Sequence, residues 1–139
     1  MINLIETIAR NTLDLSFVFG DAFQANTFSD YITSDFLCLD HKYTYTIWQA
    51  YEGHRTYNVS VFIGGNSSLD LNPIDRQTRR EEYESLMDKF IRELNKSEQV
   101  VQNIVQTGTL QFQENWLDSN KDVVFQTLQF NLATPTNYC

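Results

Sequence analysis

The chain has 139 residues, 42% of them apolar and 20% charged, which is the composition of one folded domain with a single core and not of a disordered segment. Eighteen acidic against ten basic residues leave a net charge of −8, and that works against direct DNA binding, because duplex affinity comes mainly from Lys and Arg neutralising phosphates. DNA sliding past without sticking is compatible with that charge. No run of apolar residues is long enough for a transmembrane helix, so no membrane partner is expected.

The first ten residues lack the basic start and small-residue cleavage site of a signal peptide, so the chain is expected to stay in the cytoplasm where it is made. Ile2, Ile5, Ile8, Ala9 and Leu13 recur at helical spacing and predict a short amphipathic helix over 2–12. The period then changes: Leu13, Leu15, Phe17 and Phe19 alternate with Asp14, Ser16 and Val18, an extended segment ending at Gly20-Asp21. Residues 22–35 are polar with scattered aromatics and read as a connecting loop. Phe36-Leu37-Cys38-Leu39 is a brief apolar run, with Cys38 read as a small buried hydrophobe, and Asp40-His41-Lys42 forms a bulge or short turn after it.

The longest strand signal is residues 43–63, read as one two-stranded hairpin. Residues 43–51 are β-branched and aromatic, 52–55 turn, and 56–63 return, with Tyr57, Val59, Val61 and Ile63 on one face and Asn58 and Ser60 on the other. Gly64 to Pro73 carries Gly, Asn, Ser and Pro together, the composition of a loop. A long helix follows, capped by Thr78 with Glu81 or by Asp75, with Tyr83, Leu86, Met87, Phe90, Ile91 and Leu94 as its apolar stripe. Asn95-Lys96-Ser97 is a candidate end, and Val100, Val101, Ile104 and Val105 predict a second helix or a continuation of the first. Residues 109–116 and 122–133 then form two strands around the turn 117–121, and the tail leaves the sheet at Pro135. The expected fold is α+β: one domain over 1–139, with a mainly antiparallel four- to five-stranded sheet, a short N-terminal helix and one long helix on one face.

Chemistry is hard to find in these residues. His41 and His54, beside Asp40 and Glu52, have metal-ligand types, but opposite ends of a hairpin place them about 30 Å apart at roughly 3.4 Å per residue. Asp70, Asp75, Asp118 and Asp122 lie in turn-like segments, where Asp ordinarily serves local backbone bonds. Gly64-Gly65 has no following Lys and opens no phosphate loop. Arg79-Arg80 lies among acids and reads as a solvated helix face. No catalytic residue, metal site or cofactor is expected. Aromatic residues are more informative: Tyr43, Tyr45, Trp48, Tyr51 and Tyr57 crowd one hairpin, with Phe62 beside them. They either pair across strands within the subunit or form a subunit interface, where Tyr and Trp are favoured.

The order of elements, with Phe19-Gly20-Asp21, the polar turn into Asp122-Val123-Val124-Phe125-Gln126, and the ending Asn131 to Cys139, resembles the small tail-terminator (tail-completion) proteins of long-tailed bacteriophages, particularly those of Bacteroidetes. Where that family has a Tyr-Pro at the start of the first hairpin strand, this chain reads Asp40-His41-Lys42-Tyr43-Thr44. The resemblance implies a non-enzymatic virion protein of the tail or neck. It would form a homo-oligomeric ring, commonly a hexamer, that ends tail-tube polymerisation and docks a neck or head-completion protein, while genomic DNA passes through without specific binding. Asp70, Asp75, Asp118 and Asp122 are then candidate lumen-facing acids. Rival readings are another ring component, such as a head–tail connector, tail-tube protein or injection-system cap, and a cystatin-like or nuclear-transport-factor-like domain holding a small ligand against the sheet's aromatics.

Overall fold

A computed structural model describes residues 1–20, 35–48, 54–66, 73–114 and 121–133. Helix α1 (Ile2–Thr7) widens into a π-turn (Ile8–Thr12) that buries Ile8 and Ala9. It ends at Asp14, whose φ of 55° is a left-handed conformation that Asp adopts more readily than most residues. Strands β1 (Ser16–Phe19), β2 (Phe36–Leu39), β3 (Thr44–Trp48) and β4 (His54–Asn66) follow, then α2 (Pro73–Lys96), β5 (Val100–Thr107), β6 (Gln111–Gln113) and β7 (Lys121–Ala133). The α+β architecture is as expected from the sequence. The sheet is larger than four or five strands: the described residues form seven, ordered β1-β2-β4-β7-β5, with β3 also on β4 and β6 also on β7. One pair, β1 with β2, is parallel and the others are antiparallel.

Alternation along β4 and β7 decides which face meets the helix. Tyr57, Val59, Val61 and Ile63 stand opposite Phe130, Leu128, Gln126 and Val124, and all but Gln126 join Tyr83, Met87, Phe90 and Leu94 of α2 in one core. Ile5, Ile8, Ala9, Leu13 and Leu15 close that core from the N-terminal side. The single polar interruption, Gln126, donates to the Gly108 carbonyl at 2.5 Å, so it fastens the crossing from β5 to β6. On the other face a smaller cluster buries Val18, Phe36, Cys38 and Val123 beneath Phe62 and Phe125. Cys38 is indeed a buried small side chain, its thiol donating to the Gly20 carbonyl.

Four local expectations are corrected. Gly64-Gly65-Asn66 belongs to β4 and pairs with Val123, Asp122 and Lys121, because the glycines are there for close approach and not for a turn. Helix α2 starts at Pro73, where a missing N–H costs nothing; Thr78 lies inside it and its hydroxyl donates back to the Ile74 carbonyl at 3.1 Å instead of capping. Residues 100–107 are strand, not helix. Ser97 ends α2 with a turn, Val100 N–H donating to its carbonyl, and the β-branched Val100, Val101, Ile104 and Val105 suit a sheet better than a helix. Lys121 opens β7 and is not part of the turn, while Asp122 lies in the strand as the expected range 122–133 has it.

A Cβ at Gly64 would run into the Asp122 carbonyl and stand 2.8 Å from Val123 Cγ1. Gly64→Ala is therefore expected to lower stability by about 1–3 kcal/mol through overpacking between the central strands. Urea unfolding checks this, with Ser85→Ala on the exposed side of α2 as a control that leaves the midpoint unchanged.

Candidate functional site

The hairpin aromatics divide between core and surface. Tyr45 stands opposite Tyr57, their ring centroids 5.4 Å apart. Tyr43 lies 6.0 Å from Tyr57, Phe19 lies 6.3 Å from Tyr43, and Phe130 stacks on Tyr57 at 6.1 Å. This is cross-strand pairing within one subunit, and its centre, Tyr57, is buried. Tyr57 is thus unsuited as an interface residue in the folded subunit. Phe62 is likewise engaged at home, stacked on Phe125 at 5.4 Å. The ladder's outer members remain in solvent: Tyr45 is 46% exposed and Phe19 39%. The Arg55 guanidinium sits 4.8 Å from the Tyr45 ring centroid. Phe19, at the end of β1, was readable from sequence only as a strand residue; the parallel pairing of β1 with β2 is what brings it beside the hairpin. The side chain of Trp48, and Tyr51 altogether, lie outside what is described.

The opposite end of β4 carries the charges. Arg79 Nε donates to the Tyr83 hydroxyl at 2.7 Å, and that hydroxyl donates to Asp35 Oδ1 at 3.3 Å. Gly65 makes the room: a Cβ there would come within 2.7 Å of the Tyr83 oxygen and 3.3 Å of Arg79. Burial would lower Arg79, but the bond to Tyr83, with Asp35 and Asp122 nearby, outweighs it and holds the guanidinium above its ordinary value. Burial pushes the Tyr83 phenol up to about 12, with Asp35 adding to the rise and Arg79 opposing it. Lys121 is buried and lowered for the same first reason, offset in part by Asp35; its ammonium donates to Asn66 Oδ1 and lies 5.8 Å from the Phe36 ring centroid. These groups tie α2 to the sheet. Arg79 is consequently no solvated surface charge, whereas Arg80 is near the expected role, pairing with Glu84 at 2.8 Å and lying over Phe112.

The candidate acids separate in the same way. Asp122 is only 5% exposed within the sheet, opposite Gly65, and cannot line a lumen from there. Asp75 is exposed in the first turn of α2, where the helix dipole favours it. Asp70 and Asp118 lie outside the described residues. Register puts His54 near the hairpin tip, opposite Trp48, and His41 before the start of β3 at its open end. Among the described residues no three His, Cys, Asp or Glu side chains gather as a metal site would require. No described helix is long and apolar enough to cross a membrane.

A phenol raised from its unfolded value near 10 to about 12 stays protonated in the native state after the unfolded chain has lost the proton. Its contribution is fully present below pH 10 and is lost as pH rises towards 12. Tyr83→Phe is expected to flatten that alkaline fall, and to cost about 1–2 kcal/mol at neutral pH by removing the acceptor of Arg79. Urea midpoints of both proteins from pH 7 to about 11.5 check both effects.

No protein-family model matches the chain, and no curated protein matches it.

Proposed function

We propose that the chain is a structural subunit of a ring at the head-proximal end of a phage tail tube, where it ends tube polymerisation and joins tail to neck. The observation that carries this reading is a sheet with two unlike open sides, one bearing exposed aromatics. Among the described residues β3 pairs only with β4, and β5 and β6 pair only with β7, so the sheet offers unpaired strand edges on opposite flanks. Phe19 and Tyr45 stand exposed on the β3 flank. A closed ring of one protein uses two different complementary patches per subunit, which unlike flanks supply. Natural proteins blunt or use such edges, and exposed aromatics beside one favour use. The net charge of −8 suits a ring through which DNA passes without gaining counterion-releasing contacts. Its partners would be further copies of itself, the tail-tube protein, and a neck or head-completion protein, and its place the virion.

A ligand-holding cystatin-like or nuclear-transport-factor-like domain would need a pocket lined by the sheet's aromatics. Here Tyr43, Tyr57 and Phe130 are occupied with one another on the helix-bearing face.

The purified chain is expected to run as a closed oligomer, alone or on addition of tail tubes. Phe19→Lys with Tyr45→Lys is expected to weaken association at least about tenfold, the scale of losing one interface anchor, while leaving the thermal midpoint of the subunit within a few degrees. Sedimentation and thermal melting measure these. A chain that stays monomeric with and without tubes would sink the ring reading.

A further inference from the structure

The face of the sheet turned away from α2 holds a groove of about 450 Å³, within the usual size of small-ligand sites. Its floor is ordered by strand register. Thr44 stands opposite Asn58, Asn58 opposite Gln129, and Gln129 opposite Gln106, so one row of a hydroxyl and three amides crosses β3, β4, β7 and β5. Beside it runs a second row, Ser60 opposite Thr127, and Gly108 whose N–H donates to the Thr127 carbonyl at 2.8 Å. A Cβ at Gly108 would press on the Thr127 hydroxyl, so its absence keeps this end of the floor low. Among the described residues Lys42 is the one charged residue of the lining; the Asp40 carboxylate, which accepts from the Lys42 N–H at 2.9 Å, is not part of it.

The same face treats its other polar side chains differently. One row towards the hairpin tip, the Thr56 hydroxyl bonds to Asn131 Oδ1 at 2.6 Å and Thr56 is buried. The side chains of Thr44, Asn58, Gln106, Thr127 and Gln129 are exposed and bond to no other described residue. Amides and hydroxyls both donate and accept, which matches a ligand whose own groups do both at every position. Sugar hydroxyls are such groups. A multiply charged anion would find only Lys42 among the described lining.

We infer that this groove binds a short saccharide laid across the strands, neutral or carrying one acidic group placed at Lys42. Four strands at about 4.8 Å spacing give the row a length of about 14 Å, room for a segment and not only a single ring. The inference does not rest on the ring reading, because the row lies on the sheet face, although its end residues Thr44 and Gln106 belong to the edge strands β3 and β5.

The test titrates the full chain with short glucose-based and N-acetylglucosamine-based oligosaccharides, and with the same oligosaccharides bearing one uronic acid, up to low-millimolar concentration, by amide-resolved NMR. The expected result is saturable shifts at residues of the groove. Asn58→Ala with Gln129→Ala should weaken binding about tenfold or more, the scale of two lost hydrogen bonds, and Lys42→Ala should weaken only the acidic ligands. Gln77→Ala, on α2, should change nothing. All these side chains are exposed, so thermal melting should be unaltered. Absence of saturable shifts with every saccharide, shifts mapping elsewhere, or binding unchanged in the double variant would each overturn the inference. So would a double variant whose only effect is on assembly mass, which would make the row a contact between subunits.

Discussion

The structure depends first on the antiparallel pairing of β4 with β7, unbroken from His54 opposite Ala133 to Asn66 opposite Lys121. Each of these strands is long enough to carry two shorter ones end to end on its outer side: β2 and β3 on β4, β6 and β5 on β7. A slip of one residue between the central strands would turn the apolar set of the slipped strand, Val59 and Val61 of β4 or Leu128 and Phe130 of β7, to the wrong face. A slip that put Ile63 where Gly64 stands would also drive a Cβ into the Asp122 carbonyl. Hydrophobic pattern and steric exclusion therefore specify the same register.

Along that ribbon the demand for burial changes. Near Gly64 both faces are covered, with Leu37 and Ile63 in the main core and Phe36, Cys38 and Val123 in the second cluster. Charged groups there must be paired, and the linked Arg79, Tyr83 and Asp35 accomplish it beside Lys121 and Asn66. Over Asn58, Thr127 and Gln129 the face away from α2 is open and its residues become Thr, Asn, Ser and Gln, with Thr56 buried again one row further on. One strand thus passes from a doubly buried to a half-solvated environment, which is why its apolar residues alternate at one end and crowd at the other.

Much of this was legible in the residues. Period two placed Tyr57, Val59, Val61 and Ile63 on one face, and helical spacing identified the buried stripe of α2. The same parity sets Tyr57 among the core residues. Other features needed tertiary contacts. Gly64-Gly65 has loop composition, and only the neighbouring Asp122 backbone and Asp35 carboxylate explain why glycine stands in a strand. Val100, Val101, Ile104 and Val105 satisfy a helical spacing as readily as a strand, and their β-branching was the better guide. The bulge in β5, where five residues from Val100 to Val105 advance the pairing only from Leu132 to Phe130, leaves no periodic trace.

The exposed aromatics follow from where α2 can lie. It packs mainly on β5, β7 and β4, with its start tied to β6 by Arg76 and Glu114 at 3.2 Å. On the β3 flank Tyr43 is half-buried, while Tyr45 and Phe19 reach solvent. Polar substitution of the rings would remove the cost of exposing them. The chain keeps both rings, with Arg55 over Tyr45 as a partial cover. Among the described residues an exposed aromatic pair therefore stands beside a strand edge that pairs with no further strand, which leaves apolar surface in water.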